Sequence, residues 1–136
     1  MIPKKLLQGR YERIAIEIVG QTGVDINLSV MFSHKSSLMQ FVAGLGRTKA
    51  DYIIRRIQNR SEVILDRIEL FSQKYVGKIV YINCAGFLRI SSGVEQIREL
   101  LDQTRIHPDS YNLTYKICRD SCDDINLKTQ VLSKEL

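Results

Sequence analysis

Apolar residues recur at helical spacing along most of the chain, in segments separated by short polar or glycine-containing stretches. Near the amino terminus the i, i+3, i+4, i+7, i+8 spacing predicts an amphipathic helix that ends at residues 20–23. Its apolar face comprises Tyr11, Ile14, Ala15, Ile18 and Val19. Residues 24–27 form a predicted turn, in which Asp25 is a turn and capping residue and Asn27 caps a short helix at 28–32.

A pair of glycines, Gly44 and Gly46, lies between two further predicted helices. Ser36 or Ser37 is a suitable N-cap for the first helix. Gly44 ends that helix, because glycine takes the left-handed conformation at little cost. The second helix starts after Gly46. The residues predicted to face the core are Leu38, Phe41 and Val42 in the first helix, and Ala50, Ile53, Ile54 and Ile57 in the second.

The second half of the chain continues the helical pattern, with one ambiguous segment. Residues 78–90, KIVYINCAGFLRI, are rich in β-branched and aromatic residues, which favours a strand or a hairpin around Ala85-Gly86. A lone pair of strands is marginally stable, so we predict a helix that ends at Gly86. Pro108 and Asp109 mark the start of a later helix. Further apolar stripes comprise Ile64, Leu65, Ile68 and Phe71, then Ile97, Leu100 and Leu101, then Tyr111, Tyr115, Cys118 and Cys122. With a last helix over 125–136, the predicted fold class is all-α.

Charge is distributed unevenly along this pattern. The 136-residue chain has a net charge of +5. Residues 1–60 contain ten Lys or Arg against four Asp or Glu, a surplus of six, whereas residues 61–136 contain ten against eleven, a deficit of one. A basic half of this kind favours a polyanionic partner; a solvated helix face is the alternative explanation.

Other features argue against several classes of protein. No apolar run approaches the roughly 20 residues that cross a bilayer, and the amino terminus lacks the apolar core of a signal peptide. We therefore expect a soluble intracellular protein with no membrane partner. The three cysteines and two histidines match no metal-ligand spacing, so we expect buried structural thiols and neither metal nor cofactor. His107 has no acid–base partner in the sequence and is interpreted as a helix-start residue, so no enzyme is predicted.

The segment VAGLGRTK, residues 42–49, carries the most chemistry. A phosphate-binding loop of nucleotide enzymes requires G-x-x-x-x-G-K-[ST] after a strand, whereas only one residue separates Gly44 from Gly46, and Lys49 is followed by alanine. A dinucleotide-binding fingerprint requires a third glycine at position 49. The pattern apolar-x-Gly-apolar-Gly-x-x-x-Ala between two helices is typical of a helix-hairpin-helix motif. A glycine turn without a ligand is the alternative.

A helix-hairpin-helix motif binds phosphate for a direct physical reason. Gly44 and Gly46 permit backbone angles and a close approach that a Cβ obstructs, and Leu45 anchors the hairpin in the core. The amides after Gly46 are unpaired donors at the positive end of a helix dipole. The predicted DNA phosphate-binding residues are Gly44, Gly46, Arg47, Thr48 and Lys49, with Arg55 and Arg56 as supporting basic residues.

Four segments together resemble a known family. They are TGVDIN at 22–27, QFVAGLGRTKA at 40–50, INCAGFLRI at 82–90 and LDQTRIHPDSY at 101–111. Over residues 2–124 the chain resembles the helix-hairpin-helix region of the eukaryotic suppressor-of-Ty-six family of transcription elongation factors and histone chaperones. It is more distantly similar to the bacterial transcription accessory protein Tex. The segments CAGFLRI and RIHPDSY make the resemblance specific.

The resemblance implies a tandem helix-hairpin-helix domain over residues 1–92, followed by helices of a partial second domain, the start of a death-like helical domain, over 93–136. It implies a second hairpin within 65–86, in which Gly77 matches the second glycine, Tyr81 matches an aromatic residue and Tyr75 replaces the first glycine. Members of the family are far longer. The resemblance therefore implies part of a nuclear protein whose partners are DNA, the RNA polymerase elongation complex and histones.

Two functions are compatible with these observations. The leading hypothesis is a non-enzymatic module that binds the DNA backbone without sequence preference through the first hairpin. The alternative is a scaffold or protein-interaction module of the same factor with no DNA binding of its own, which the near-neutral second half favours. The acidic cluster of Asp120, Asp123 and Asp124 is explained either by histone contact or by a solvated helix end.

Overall fold

A computed structural model describes residues 3–90 and 98–121 of the chain. The backbone forms two compact units, Met1–Arg105 and Ile106–Leu136. Apart from two strands of two residues each, the regular secondary structure of the described residues is helical, so the all-α prediction is confirmed. None of the described helices is long and apolar enough to cross a membrane.

The elements of the described residues follow one another with short connections. The α-helices and strands are α1 (Lys4–Thr22), β1 (Val24–Asp25), α2 (Ile26–Met31), α3 (Ser33–Ser36), α4 (Arg47–Arg60), α5 (Glu69–Ser72), α6 (Lys78–Cys84), β2 (Leu88–Arg89) and α7 (Tyr111–Ser121). Short 3₁₀ helices cover Ser37–Phe41, Ala85–Phe87, Leu100–Gln103 and Pro108–Ser110.

Helix α4 contributes an unbroken apolar stripe to the core. The four residues predicted to face inward, Ala50, Ile53, Ile54 and Ile57, are all buried. The helix ends at Ser61, whose φ of 52° is left-handed. The rest of the core comes from other helices, the two strands and the connections between them, namely Val19, Val24, Ile26, Met39, Val42, Ile64, Leu70, Tyr75, Val76, Cys84, Leu88 and Ile90.

The ambiguous segment 78–90 contains both kinds of structure. Helix α6 covers its first half, as predicted, and is followed by a 3₁₀ turn over Ala85–Phe87. The β-branched residues Ile79, Val80 and Ile82 lie in α6, and Leu88–Arg89 form strand β2, which pairs in parallel with β1. The register places Val24 opposite Leu88 and Asp25 opposite Arg89.

The prediction for residues 24–32 was wrong in its capping residue. The carboxylate of Asp25 accepts a hydrogen bond from the amide of Leu28 at 2.8 Å, so Asp25, in the capping role predicted for it, is the N-cap of α2. Asn27 is buried instead. Its side chain donates to the carbonyl of Ile64 at 2.9 Å and accepts from the Ile64 amide at 3.0 Å. It therefore holds a segment 37 residues away in place of capping its own helix.

The predicted helical stripe over Ile64–Phe71 was also wrong. Residues 62–65 are not helical, and α5 is only four residues long. The chain is held here by distant groups, because the amide of Arg67 donates to Asp102 at 2.7 Å and the two side chains form an ion pair at 3.8 Å. Both are buried, with 1% and 2% of their side chains exposed. Ile68 is consequently exposed.

Helix α1 differs most from the burial that its pattern predicted. Of its predicted apolar face only Val19 is buried, whereas Tyr11, Ile14 and Ile18 are each more than half exposed. Leu38 is exposed as well. The apolar spacing therefore marks the helix correctly but does not mark its buried side.

The second compact unit begins with the predicted proline start. Pro108 is at the first position of a 3₁₀ turn that leads into α7, and His107 is its N-cap, with Nδ1 accepting from the Asp109 amide at 3.2 Å.

The thiol of Cys84 is buried, as predicted, but Cys118 is exposed, which corrects the prediction of a buried thiol there. The predictions for Ile97, Cys122 and residues 125–136 lie outside the described residues.

Candidate nucleic-acid interface

The first hairpin connects the 3₁₀ turn Ser37–Phe41 to helix α4 through a tight turn. The amide of Leu45 donates to the carbonyl of Val42 at 3.0 Å. Leu45 is half-buried and packs against the core, as predicted for the anchoring residue. Gly44 has a φ of 78°, and a Cβ placed there would lie 2.7 Å from the Cβ of Asn83 on α6. Glycine is therefore required at position 44 by both its backbone angle and its contact.

Gly46 has a different role from the one that the sequence predicted. Its φ of −158° is extended backbone that any residue adopts, and an added Cβ would meet no atom within 4 Å. The prediction that both glycines relieve backbone strain and crowding is therefore wrong for Gly46. What its missing side chain provides is open space beside the first turn of α4.

Helix α4 begins with backbone amides that no side chain among the described residues caps. Gly46 is its N-cap and makes no side-chain cap hydrogen bond, and the first amide bonded within the helix is that of Ala50, which donates to Gly46 at 2.9 Å. The amides of Arg47, Thr48 and Lys49 thus point out of the first turn of a 14-residue helix. No acidic residue lies in that turn. This end of the helix can accept an anion.

Two of the three residues in this first turn, Arg47 and Lys49, carry positive side chains. Arg47, Thr48 and Lys49 are all exposed. The Lys49 ammonium donates to the carbonyl of Gly44 at 3.4 Å, so it lies back over the hairpin turn. Among the described residues, no carboxylate forms an ion pair with Arg47 or Lys49 within 4.0 Å. The structure thus brings the predicted phosphate-binding residues together on one exposed turn.

The two supporting arginines are placed differently. Arg55 is exposed on α4. Arg56 is half-buried, and its guanidinium donates to the carbonyls of Lys74 at 3.1 Å and Gln73 at 3.3 Å in the second hairpin. It also lies 5.4 Å from the centre of the Tyr75 ring. The Arg56 guanidinium therefore contacts the protein's own backbone. No local sequence pattern indicates this contact, because it joins residues 17 and 18 positions apart.

The second hairpin is covered by side chains of helix α4. Tyr75, which stands where a glycine would be expected, is buried, and the guanidiniums of Arg56 and Arg60 lie over its ring. Gly77 is the N-cap of α6, but this helix has only seven residues. Tyr81 is half-buried beside the ring of Phe71, and burial, followed by the charge of Asp102, raises its pKa to about 12. Of the two hairpins, the first is therefore the better candidate for an anion site.

The remaining chemical groups do not converge on a site in the described residues. The His107 ring caps a turn, and Asp25 caps α2. Burial raises the pKa of the Cys84 thiol to about 11, which makes it a poor nucleophile near neutral pH. Asp120 is exposed on α7, and its partners in the predicted acidic cluster, Asp123 and Asp124, lie outside the described residues.

Comparison with known proteins places the hairpins in a family. A family model described as a helix-hairpin-helix motif matches residues 1–91, and a second, described as an HHH domain, matches residues 99–136. Among curated proteins, the transcription elongation factor spt6 of Schizosaccharomyces pombe is 31% identical over 90% of this chain and 9% of its own length.

Other relatives match over similar spans. The SPT6-like transcription elongation factor of Arabidopsis thaliana is 40% identical over 80% of this chain and 8% of its own length. The SPT6 transcription elongation factor of Candida albicans is 34% identical over 90% of this chain and 9% of its own length. The chain thus spans less than a tenth of the relatives that it matches. The resemblance inferred from CAGFLRI and RIHPDSY is confirmed, and the chain belongs to the helix-hairpin-helix family, in the region that it shares with the SPT6 transcription elongation factors.

Proposed function

We propose that this chain is a non-enzymatic module that binds the DNA backbone without sequence preference and holds phosphate on its first hairpin. The observation that carries the proposal is the first turn of α4, where three uncapped amides are accompanied by the exposed residues Arg47 and Lys49. Groups of this kind contact phosphate oxygens, which are the same for every base pair. Binding is therefore weak and independent of sequence.

Electrostatics supports the same surface. The positive end of the α4 dipole and two exposed cations act together within one helical turn, and the first 60 residues carry a surplus of six basic residues. Each phosphate that is neutralised releases counterions, so affinity falls steeply with salt. If Arg47 and Lys49 each neutralise one phosphate, their loss lowers the slope of log affinity against log salt by about 2.

The test is a salt titration of duplex binding with matched charge-reversal variants. Fluorescence anisotropy with two 20-base-pair duplexes of unrelated sequence measures the affinity of the wild type and of Arg47→Glu/Lys49→Glu. The control is Arg10→Glu/Arg13→Glu, which makes the same charge change at two exposed positions of α1. We expect the hairpin variant to lose binding and the control to lose only the part caused by net charge. Equal affinities of the two variants would refute the assignment.

Gly46→Ala gives a second, uncharged test of the same site. The substitution meets no atom in the free protein, so the fold is retained. A phosphate held by the amides of Arg47 and Thr48 lies beside position 46, where a methyl group would obstruct it. We expect weaker duplex binding at unchanged circular dichroism. Unchanged affinity would place the DNA elsewhere.

The role of the longer protein follows from its relatives and belongs to the same proposal. The relatives are named as transcription elongation factors, and we infer that this module acts in transcription elongation in the nucleus. The family resemblance extends the proposal to a longer protein that engages RNA polymerase complexes and histones. The proposal retains a tandem helix-hairpin-helix domain over 1–92 and a partial helical domain over 93–136. Limited proteolysis with mass spectrometry tests that division.

A second candidate function has one specific observation in its favour. Helix α1 exposes a stripe of large apolar side chains, with Tyr11, Ile14 and Ile18 between 52% and 64% exposed. Such a stripe suits a scaffold that packs against other parts of the longer protein. That function predicts no duplex binding at moderate salt, so the titration above separates the two candidates.

A further inference from the structure

An open cleft lies beside the first hairpin and shares a wall with it. Its volume is about 560 Å³, within the range of roughly 300–1,000 Å³ that is usual for ligand sites. Helix α1 supplies Lys4, Leu7 and Tyr11 to one side, and Phe41 and Arg47 line the other. Arg47 is the first residue of α4, so the cleft adjoins the first of the uncapped amides.

The lining combines an aromatic face with positive charge. The Tyr11 side chain is 64% exposed, and within the described residues it makes no hydrogen bond and stacks on no other ring. Its ring is therefore available to an external ligand. Lys4 and Arg47 contribute two cations, against the single carboxylate of Glu12, which also lines the cleft. The charge balance favours an anionic ligand with a flat apolar part.

Unpaired nucleotides have this chemistry. Proteins that bind single strands combine a cationic groove for the backbone with aromatic rings on which bases stack. In a duplex the bases are stacked on each other and cannot reach a ring set beside the phosphate site. A strand whose phosphate lies on the first turn of α4 can place its next base in the cleft.

We infer that the cleft between α1 and the first hairpin accepts an unpaired base of single-stranded DNA, which stacks on Tyr11 while the adjoining phosphate is held at Arg47. The inference rests on the proposed phosphate site and adds the form of the DNA. It predicts that single strands bind more tightly than duplexes of equal length. Stacking of one base accounts for about a 5- to 150-fold difference in affinity.

The experiment compares dT12 with a 12-base-pair duplex by fluorescence anisotropy. We expect Tyr11→Ala to weaken binding of dT12 by about 5- to 150-fold and to leave duplex binding unchanged. Tyr11→Phe keeps the ring and should retain the affinity. The control, Ile16→Ala, removes another exposed apolar side chain of α1 that does not line the cleft, and should change neither affinity.

A spectroscopic readout is available because the chain contains no tryptophan. Tyr11→Trp introduces a single indole in the cleft, and we expect dT12 to quench its emission while the duplex does not. Suppose that duplex binding depends on Arg47 and Lys49 but that Tyr11→Ala leaves dT12 binding unchanged. This result would refute base stacking in the cleft and would still support the phosphate site. Binding of neither nucleic acid would overturn both.

Discussion

The two glycines of the first hairpin should respond to alanine in different ways, although they are only two positions apart. At Gly44 the φ of 78° costs a residue with a Cβ roughly 1–2 kcal/mol. The added Cβ also lies 2.7 Å from the Cβ of Asn83, which no side-chain rotation can move, and crowding of this kind costs about 1–3 kcal/mol. The lower entropy of the unfolded chain returns about 0.4–1 kcal/mol. Together these ranges give about 1–5 kcal/mol, so we expect Gly44→Ala to lower the free energy of unfolding by about 3 kcal/mol.

Gly46→Ala is the matched control for this prediction. Its extended backbone needs no glycine, and its Cβ meets nothing. The loss of glycine at an N-cap costs about as much as the unfolded-state entropy returns, so the net change should lie within about 1 kcal/mol of zero. Urea unfolding followed by far-ultraviolet circular dichroism measures both variants under identical conditions.

A double-mutant cycle identifies the cause of the Gly44 effect. Asn83→Gly removes the atom that crowds position 44, so Gly44→Ala should cost less in that background, by the crowding part of about 1–3 kcal/mol. The backbone part should persist. Equal stabilities of Gly44→Ala and Gly46→Ala would refute the argument from φ and contact. Additive effects in the cycle would refute the contact alone.

Three further predictions concern the core and the second hairpin. Arg56→Ala removes two charge-assisted hydrogen bonds and should cost about 1–3 kcal/mol of unfolding free energy in urea, whereas Arg55→Ala should cost little. Asp102→Ala leaves Arg67 buried without its ion-pair partner and should cost about 3–5 kcal/mol in the same assay. Burial raises the pKa of Cys84 from 9.0 to about 11. The stability that the folded protein gains from keeping this thiol protonated is therefore complete below pH 9 and is lost as the pH rises through 11. Between pH 8 and 11 the wild type should therefore lose about 2–3 kcal/mol more than Cys84→Ala, and parallel curves would contradict this.

The local sequence pattern predicted an element correctly where the buried side of that element follows from its own apolar spacing. The four inward-facing residues of α4 recur at helical spacing, and all four are buried. The same spacing failed at Ile64–Phe71, because Asn27 and Asp102 hold that segment from 37 and 35 residues away. A periodicity within ten residues contains no information about such distant partners.

The location of the candidate site could be predicted from the sequence, but the different roles of its individual residues could not. Glycine spacing and charge located the first hairpin. That Gly44 is required by the fold and Gly46 is not depends on the backbone angle and on Asn83, nearly 40 positions later. Likewise, Arg56 looked like a surface cation in the sequence, and only the folded chain places its guanidinium on the second hairpin.

The small parallel sheet has a consequence for how the molecule folds. Val24 pairs with Leu88, so the ladder joins positions 64 residues apart (88 − 24), and both hairpins lie between them. Forming this pair early would carry a large entropic cost of loop closure. The strands should therefore pair only after the helices between them have formed and packed. Pairing of the four strand residues is therefore a late step of folding, and a destabilising substitution in either hairpin should slow the formation of the sheet.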